Sequence, residues 1–452
     1  MDVLMETALF ILKVTAAYFM AINIIYGVLM LLSWVKIKRF ARFDRVLKST
    51  TDRPGVSFLI PVFNEETLIV ETIQTYLSLP QENKEIIVIN DGSHDQTLKL
   101  LQTMFMLQRD QKNIKLFRSI THPELKVIEA PHLGKAQALN FGINIANYDL
   151  ICTMDADTIP DARGVEVCLR AFAQDKNLIA AGGVIQVLNS HVIKDNLPLK
   201  EDTKKWLPTF QRIEYLRSFI CERLGWSLLR STTLISGAFC MMKKEAVQRV
   251  GGFSQNSITE DLDLIMKLRK KYRHPKHGFR ILPVTTCYTQ VPSSYNHLKE
   301  QRIRWQQGLV QTLCSHPSLL FHPGHGFFGL LAIPYMWFVE VASPILEGIA
   351  WVVVPFSIYQ GWITMDLVLF YLGLGVVFNV FITFFGIHLD NHYVSKSRNW
   401  SYMTSIFHTF LIHFGYKQLN SWWRFCALLK SAKVGSWGNN PRDEIRVESL
   451  AA

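Results

Sequence analysis

The sequence has no Cys-x-x-Cys pair, and its seven cysteines are scattered among apolar neighbours. That pattern fits small buried side chains in a reduced compartment and argues against disulfides or a zinc site. Charge is absent from Val14 to Val35, a stretch long enough as a helix to cross a hydrocarbon core of roughly 30 Å. Its apolar run exceeds a signal-peptide core and no small-residue cleavage pattern follows, so it reads as a retained anchor. There is also no single basic block behind the net charge of +11. The charge is divided between a juxtamembrane cluster and the segment Lys267 to Lys276, so anionic headgroups and a diphosphate suffice as partners and nucleic acid is not required.

What is present is apolar: 49% of the 452 residues are hydrophobic, which leans towards a membrane protein. Lys36, Lys38, Arg39, Arg42, Arg45 and Lys48 follow the anchor directly, so by the positive-inside rule the chain emerges into the cytoplasm. From about Arg53 to His316, strand-sized apolar runs at 56–62, 85–90, 125–128 and 150–154 alternate with amphipathic segments such as 66–79 and 95–107. This alternation predicts an α/β domain with a parallel sheet flanked by helices and a ligand at the carboxyl ends of the strands. Ser93-His94-Asp95-Gln96 is expected to cap the second helix.

Two further apolar regions, Gly326 to about Trp362 and Leu367 to Ile387, predict membrane helices, the first broken by Pro334, Pro344 and Pro355. Lys396 and Arg398, and then Arg424, Lys430, Lys433 and Arg442, return the chain to the cytoplasm. Tyr402 to Leu429 reads either as a poor span or as an amphipathic interface helix. The expected division is an anchor and basic segment at 1–50, a cytosolic domain at 51–316, interfacial and membrane helices at 317–430, and a cytosolic tail at 431–452. Glu340 and Glu347, seven residues apart, fall on one helical face; they are functional candidates if that face lines a protein interior and solvent-facing acids otherwise.

Four groups of polar residues follow apolar runs or open helices. Pro61, Asn64 and Glu65 close the first run, and Asp91 closes the second; an acidic residue at such a strand end can accept hydrogen bonds from a base or ribose, and singly each reads as a turn or helix cap. Asp155 and Asp157, at i and i+2 around a bend, can hold a hard divalent cation that neutralises a diphosphate. Thr259-Glu260-Asp261 stands before a basic helical run, where acids complement the helix dipole and a carboxylate can also take a proton from an attacking hydroxyl. Gln301, Arg304 and Trp305 fall within about one helical turn, offering a phosphate clamp and a flat apolar face for a sugar ring.

In this order the four groups resemble the processive, inverting family-2 glycosyltransferases, which include cellulose, chitin, hyaluronan and poly-N-acetylglucosamine synthases. The resemblance covers most of the chain and implies a GT-A cytosolic domain joined to a transmembrane bundle. It implies that Asp91 contacts uridine, that Asp155 and Asp157 handle diphosphate and a Mg2+ or Mn2+ ion, and that Asp261, beside Glu260, is the base. It further implies that Gln301, Arg304 and Trp305 bind the pyrophosphate and acceptor end, that Lys135 lies near the donor, and that Ser236 and Gly237 lie near the acceptor. Trp437, Gly438 and Arg442 resemble a gating loop, with Asn439 where such loops carry Thr.

The expected activity is transfer from a UDP-sugar, first UDP-N-acetylglucosamine and then UDP-glucose, to a growing β-linked polysaccharide at the inner or plasma membrane. The implied partners are the nucleotide sugar, the nascent polysaccharide, the lipid bilayer and an accessory membrane subunit. A single-sugar transferase acting on a lipid carrier, and a membrane receptor that keeps the fold without catalysis, are the alternatives.

Overall fold

In the computed structural model of the chain, residues 2–47, 53–111, 113–194, 197–200, 205–274, 276–395, 401–430 and 447–448 are described. The strands in chain order are β1 (Val56–Val62), β2 (Lys84–Asn90), β3 (Leu107–Arg109), β4 (Leu116–Ser119), β5 (Leu125–Glu129), β6 (Leu150–Thr153) and β7 (Thr158–Pro160). They continue with β8 (Leu178–Val187), β9 (His191–Lys194), β10 (Leu197–Lys200), β11 (Cys240–Lys243), β12 (Gly278–Thr289) and β13 (Val447–Glu448). Ten of them form one sheet in the order β3-β4-β5-β2-β1-β6-β11-β8-β12-β7, and β10-β9-β13 form a small second sheet.

The four apolar runs are strands, as expected, and β5, β2, β1 and β6 pair in parallel. Val56, Phe58, Leu59, Ile60, Ile86, Ile87, Val88 and Ile89 are fully buried, each contributing about 1.5–3 kcal/mol by leaving water. Beside these parallel pairs the sheet also carries antiparallel strands. β11 runs antiparallel to both β6 and β8, β7 runs antiparallel to β12, and β3-β4-β5 is an antiparallel edge. β3, β4 and β5 follow one another through short connections, as antiparallel neighbours can. The anticipated cap at Ser93 also fails: the Ser93 hydroxyl accepts from the Asn64 N–H, and Asp95 accepts from the Thr97 N–H instead.

Among the described residues, three helical segments are long and apolar enough to cross a membrane: Val3–Ala41, Phe328–Tyr359 and Met365–Val394. The middle one is broken around Pro334 and Pro344, with π-turns at Phe328–Ala332 and Met336–Val341, but the helix that follows, Ser343–Tyr359, runs on through Pro355. Tyr402 to Leu429 is two helices, Tyr402–Ile412 and Tyr416–Leu429. Gly415, at φ 101°, turns the chain between them in a conformation open chiefly to glycine.

Candidate active site

β1, β2 and β6 end on the same side of the sheet, so Pro61, Asp91 and Asp155 rise from one edge. Asp91 does not face the opening. Its side chain is 0% exposed; one oxygen accepts from the Leu133 N–H at 3.0 Å and the other from the Gly134 N–H at 2.9 Å. The carboxylate thereby shapes the turn that opens helix Lys135–Ile145, where Gly134 has φ 90°. His132, in the same turn, stacks on Phe63 with ring centroids 4.3 Å apart.

That turn delivers Lys135 into a group of carboxylates. Its ammonium lies 2.7 Å from Asp155 Oδ1 and 3.0 Å from Glu260 Oε1. Burial opposes the charge on Lys135, but Asp155 and Glu260 outweigh it and hold the pKa above the ordinary lysine range. Asp157 accepts from the Thr158 and Thr289 hydroxyls at 3.2 and 3.4 Å, which tie the bend after β6 to the end of β12.

Asp261 stands in the first turn of helix Glu260–Lys271. It accepts from the Gly237 N–H at 2.9 Å, which brings the 236–238 loop against it, and from the Leu262 N–H at 2.8 Å. Burial and the adjacent Glu260 carboxylate push its pKa up, while Lys135 and these N–H groups pull the other way. A carboxylate held ready to accept a proton requires such a balance.

Gln301, Arg304 and Trp305 share helix Tyr295–Ser315. Trp305 is 37% exposed, and the Arg302 guanidinium lies 4.9 Å from its ring centroid. Arg302 pairs with Glu214 at 2.5 Å, and Glu214 also accepts from Tyr416 Oη and Asn420 Nδ2 at 2.9 Å each. Arg424 donates to Gln306 Oε1 at 2.8 Å and to the Glu340 carbonyl at 2.5 Å.

One cavity of about 2790 Å³ joins these parts. At one end it is lined by Pro61, Glu65, Lys135, Asp155, Asp157, Gly237, Glu260 and Asp261. It passes Gln301, Arg304 and Trp305 and continues past Glu340, Glu347, Ala350 and Asn379 between the apolar helices.

The glycosyl transferase family 2 model matches residues 57–251. Residues 57–251 are thus similar to that family. Over 294 residues it is 32% identical to a poly-beta-1,6-N-acetyl-D-glucosamine synthase of Staphylococcus aureus (strain COL), a match covering 63% of each chain. The synthase of the same name from Staphylococcus epidermidis is 32% identical over 275 residues, 61% of this chain and 59% of that one. The matched stretch thus spans less than two thirds of these curated relatives. Among solved structures, the mannosyltransferase PcManGT from Pyrobaculum calidifontis, in complex with GDP-Man and Mn2+, superposes with a TM-score of 0.54 over 92% of this chain and 99% of that one. At 21% identity the likeness is one of fold.

Within and beside the matched residues 57–251, the structure brings together Pro61, Glu65, Lys135, Asp155, Asp157, Ser236, Gly237, Glu260, Asp261, Gln301, Arg304 and Trp305 on one cavity. Asp91 and Asn64 lie behind it: Asn64 Oδ1 accepts from the His94 N–H at 2.9 Å and links the first two strand-end loops. Trp437, Gly438 and Arg442 fall outside the described residues. Sequence reasoning missed Glu214, Thr289 and Arg424, whose partners lie on distant elements; only the charge of Glu214 and Arg424 amid apolar neighbours hinted at them.

Proposed function

We propose that the chain is a membrane-embedded, inverting glycosyltransferase that moves N-acetylglucosamine from UDP-N-acetylglucosamine to the end of a growing β-linked polysaccharide, and that synthesis is coupled to passage of the product between the membrane helices. The observation that carries this reading is the continuity of one cavity from the Asp155, Glu260, Lys135 and Asp261 group, past Trp305, to helices long enough to cross a bilayer. A hydrophilic polymer cannot enter lipid unaided, because each buried hydroxyl would lose its water. The named staphylococcal relatives support the choice of sugar, with UDP-glucose second. On this reading residues 51–316 form the cytosolic domain, 1–50 the anchor, 317–430 the membrane part and 431–452 a cytosolic tail. The nascent chain and an accessory membrane subunit complete the proposed partners.

Asp261 takes the proton from the acceptor hydroxyl as its oxygen attacks the anomeric carbon from the face opposite the leaving diphosphate. Gly237, through its N–H, holds that carboxylate in place. Trp305 offers its exposed ring face to the acceptor sugar, and Arg304 and Gln301 face the phosphates. Lys135 supplies positive charge beside the leaving group.

The described residues contain no cluster of three or more His, Cys, Asp and Glu able to cage a metal, but Asp155 and Asp157 line one bend of the cavity. Two carboxylates with substrate phosphates fit Mg2+ or Mn2+, and when bound such an ion neutralises charge on the departing diphosphate.

The test is UDP release by the full chain in detergent, measured with each candidate sugar, with and without chelator, and with the product sized on a gel. Turnover of UDP-N-acetylglucosamine that needs Mg2+ or Mn2+ and yields long chains is expected. A single-sugar product on a lipid would favour the lipid-carrier alternative, and no turnover with any donor would favour the receptor.

A further inference from the structure

The backbone leading into Asp261, residues 254–259, forms neither helix nor strand. Its shape is imposed from outside by the rear half of helix Tyr295–Ser315, beyond Gln301, Arg304 and Trp305. The Gln311 carboxamide grips it at two points: Oε1 accepts from the Ile258 N–H at 2.9 Å, and Nε2 donates to the Asn256 carbonyl at 2.9 Å. These opposite partners fix the orientation of the amide, since a flipped group would set oxygen against oxygen.

The same helical face continues the contact. Gly308 lies so close to Thr259 that a Cβ there would overlap the threonine side chain. The Thr312 and Thr259 hydroxyls are 3.4 Å apart. Just beyond the helix, His316 Nε2 meets Asp263 Oδ1 at 2.8 Å, and Asp263 Oδ2 accepts from Ser254 Oγ at 2.5 Å. Positions 308, 311, 312 and 316 recur at helical spacing, so one stripe of one helix grips the loop before Asp261 and the first turn that holds it.

We propose that Gln311 is a positioning residue for glycosyl transfer: by holding the peptide from Asn256 to Ile258 it fixes the turn that carries Asp261 over the acceptor hydroxyl. This rests on the reading of Asp261 as the base. Gln311 does not line the cavity; its effect reaches the reaction through the direction of the Asp261 carboxylate. Misplacing a reacting group by about 1 Å costs on the order of 10²-fold in rate, and an unanchored loop has that freedom.

The test compares full-length wild type, Gln311→Leu and Gln311→Glu in detergent. Steady-state UDP release from UDP-N-acetylglucosamine is measured alongside hydrogen–deuterium exchange of peptides covering 254–263. Gln311→Leu removes both bonds, and kcat is expected to fall roughly 10²-fold while the donor KM stays within about twofold. Exchange should accelerate in 254–263 and not elsewhere. Gln311→Glu keeps the acceptor for the Ile258 N–H and should recover part of the lost kcat. An unchanged kcat in Gln311→Leu overturns the assignment, as does a loss of kcat with faster exchange throughout the protein and no recovery in Gln311→Glu. A wild type that turns over no nucleotide sugar overturns the reading of Asp261 and the role of Gln311 with it, whereas an active wild type beside an equally active variant overturns the role of Gln311 alone.

Discussion

At Asp261, burial and Glu260 oppose ionisation while Lys135 and the Gly237 and Leu262 N–H groups favour it. As the proposed base it must be ionised, so kcat should fall as the pH drops through a pKa lying above the ordinary aspartate value of about 3.9. Asp261→Asn should bind donor almost as wild type yet lose about 10²–10⁴-fold in kcat; Lys135→Met, which removes a charge favouring the carboxylate, should move the acid limb of the pH–rate profile to higher pH. Unchanged turnover in Asp261→Asn would refute the base assignment. Much of this site was legible in the sequence, because Pro61, Asp91 and Asp155 stand at strand ends, Asp261 at a helix start, and Gln301, Arg304 and Trp305 within one turn of a helix. Asp91 marks where legibility stops: its place after β2 was readable, but its partners, Leu133 and Gly134, are more than 40 residues away. No local pattern reveals that its carboxylate shapes a turn.

At the scale of elements, helix Tyr295–Ser315 is fastened on several sides, and Arg302 joins it through Glu214 to helix Tyr416–Leu429. Arg302→Met leaves Glu214 with Tyr416 and Asn420 but without its cation. Glu214 keeps some contact with solvent, so the loss should fall towards the low end of the about 3–5 kcal/mol seen when a buried pair is broken. Thermal unfolding in detergent should register this as a lower midpoint, and an unchanged midpoint would mean that the pair does not hold the two helices together. The parallel strands were readable because a strand buried on both faces is a continuous apolar run. Strand direction was not, since Cys240–Lys243 and Thr158–Pro160 are equally buried and only the route of the chain makes them antiparallel. The division of Tyr402 to Leu429 into two helices likewise depends on Gly415, whose backbone angle no composition reveals.

For the whole molecule, the proposed coupling of synthesis to passage predicts that product length responds to changes far from the carboxylates. Ala350 lines the cavity between the apolar helices. Ala350→Trp should narrow it there and shorten the polymer on a gel, with the donor KM unchanged, because the substitution meets the product and not the nucleotide. Full-length product from this variant would show that the polymer leaves by another route.

The front of helix Tyr295–Ser315 carries Trp305, and its rear holds the loop that sets Asp261. A rigid rod bearing both cannot shift one without the other, so on the proposed reading the sugar platform and the proton acceptor keep their spacing as the helix moves. Engineers who seek a new acceptor preference should therefore exchange residues 256–316 as a single cassette; piecemeal substitution at the front would leave a mismatched rear.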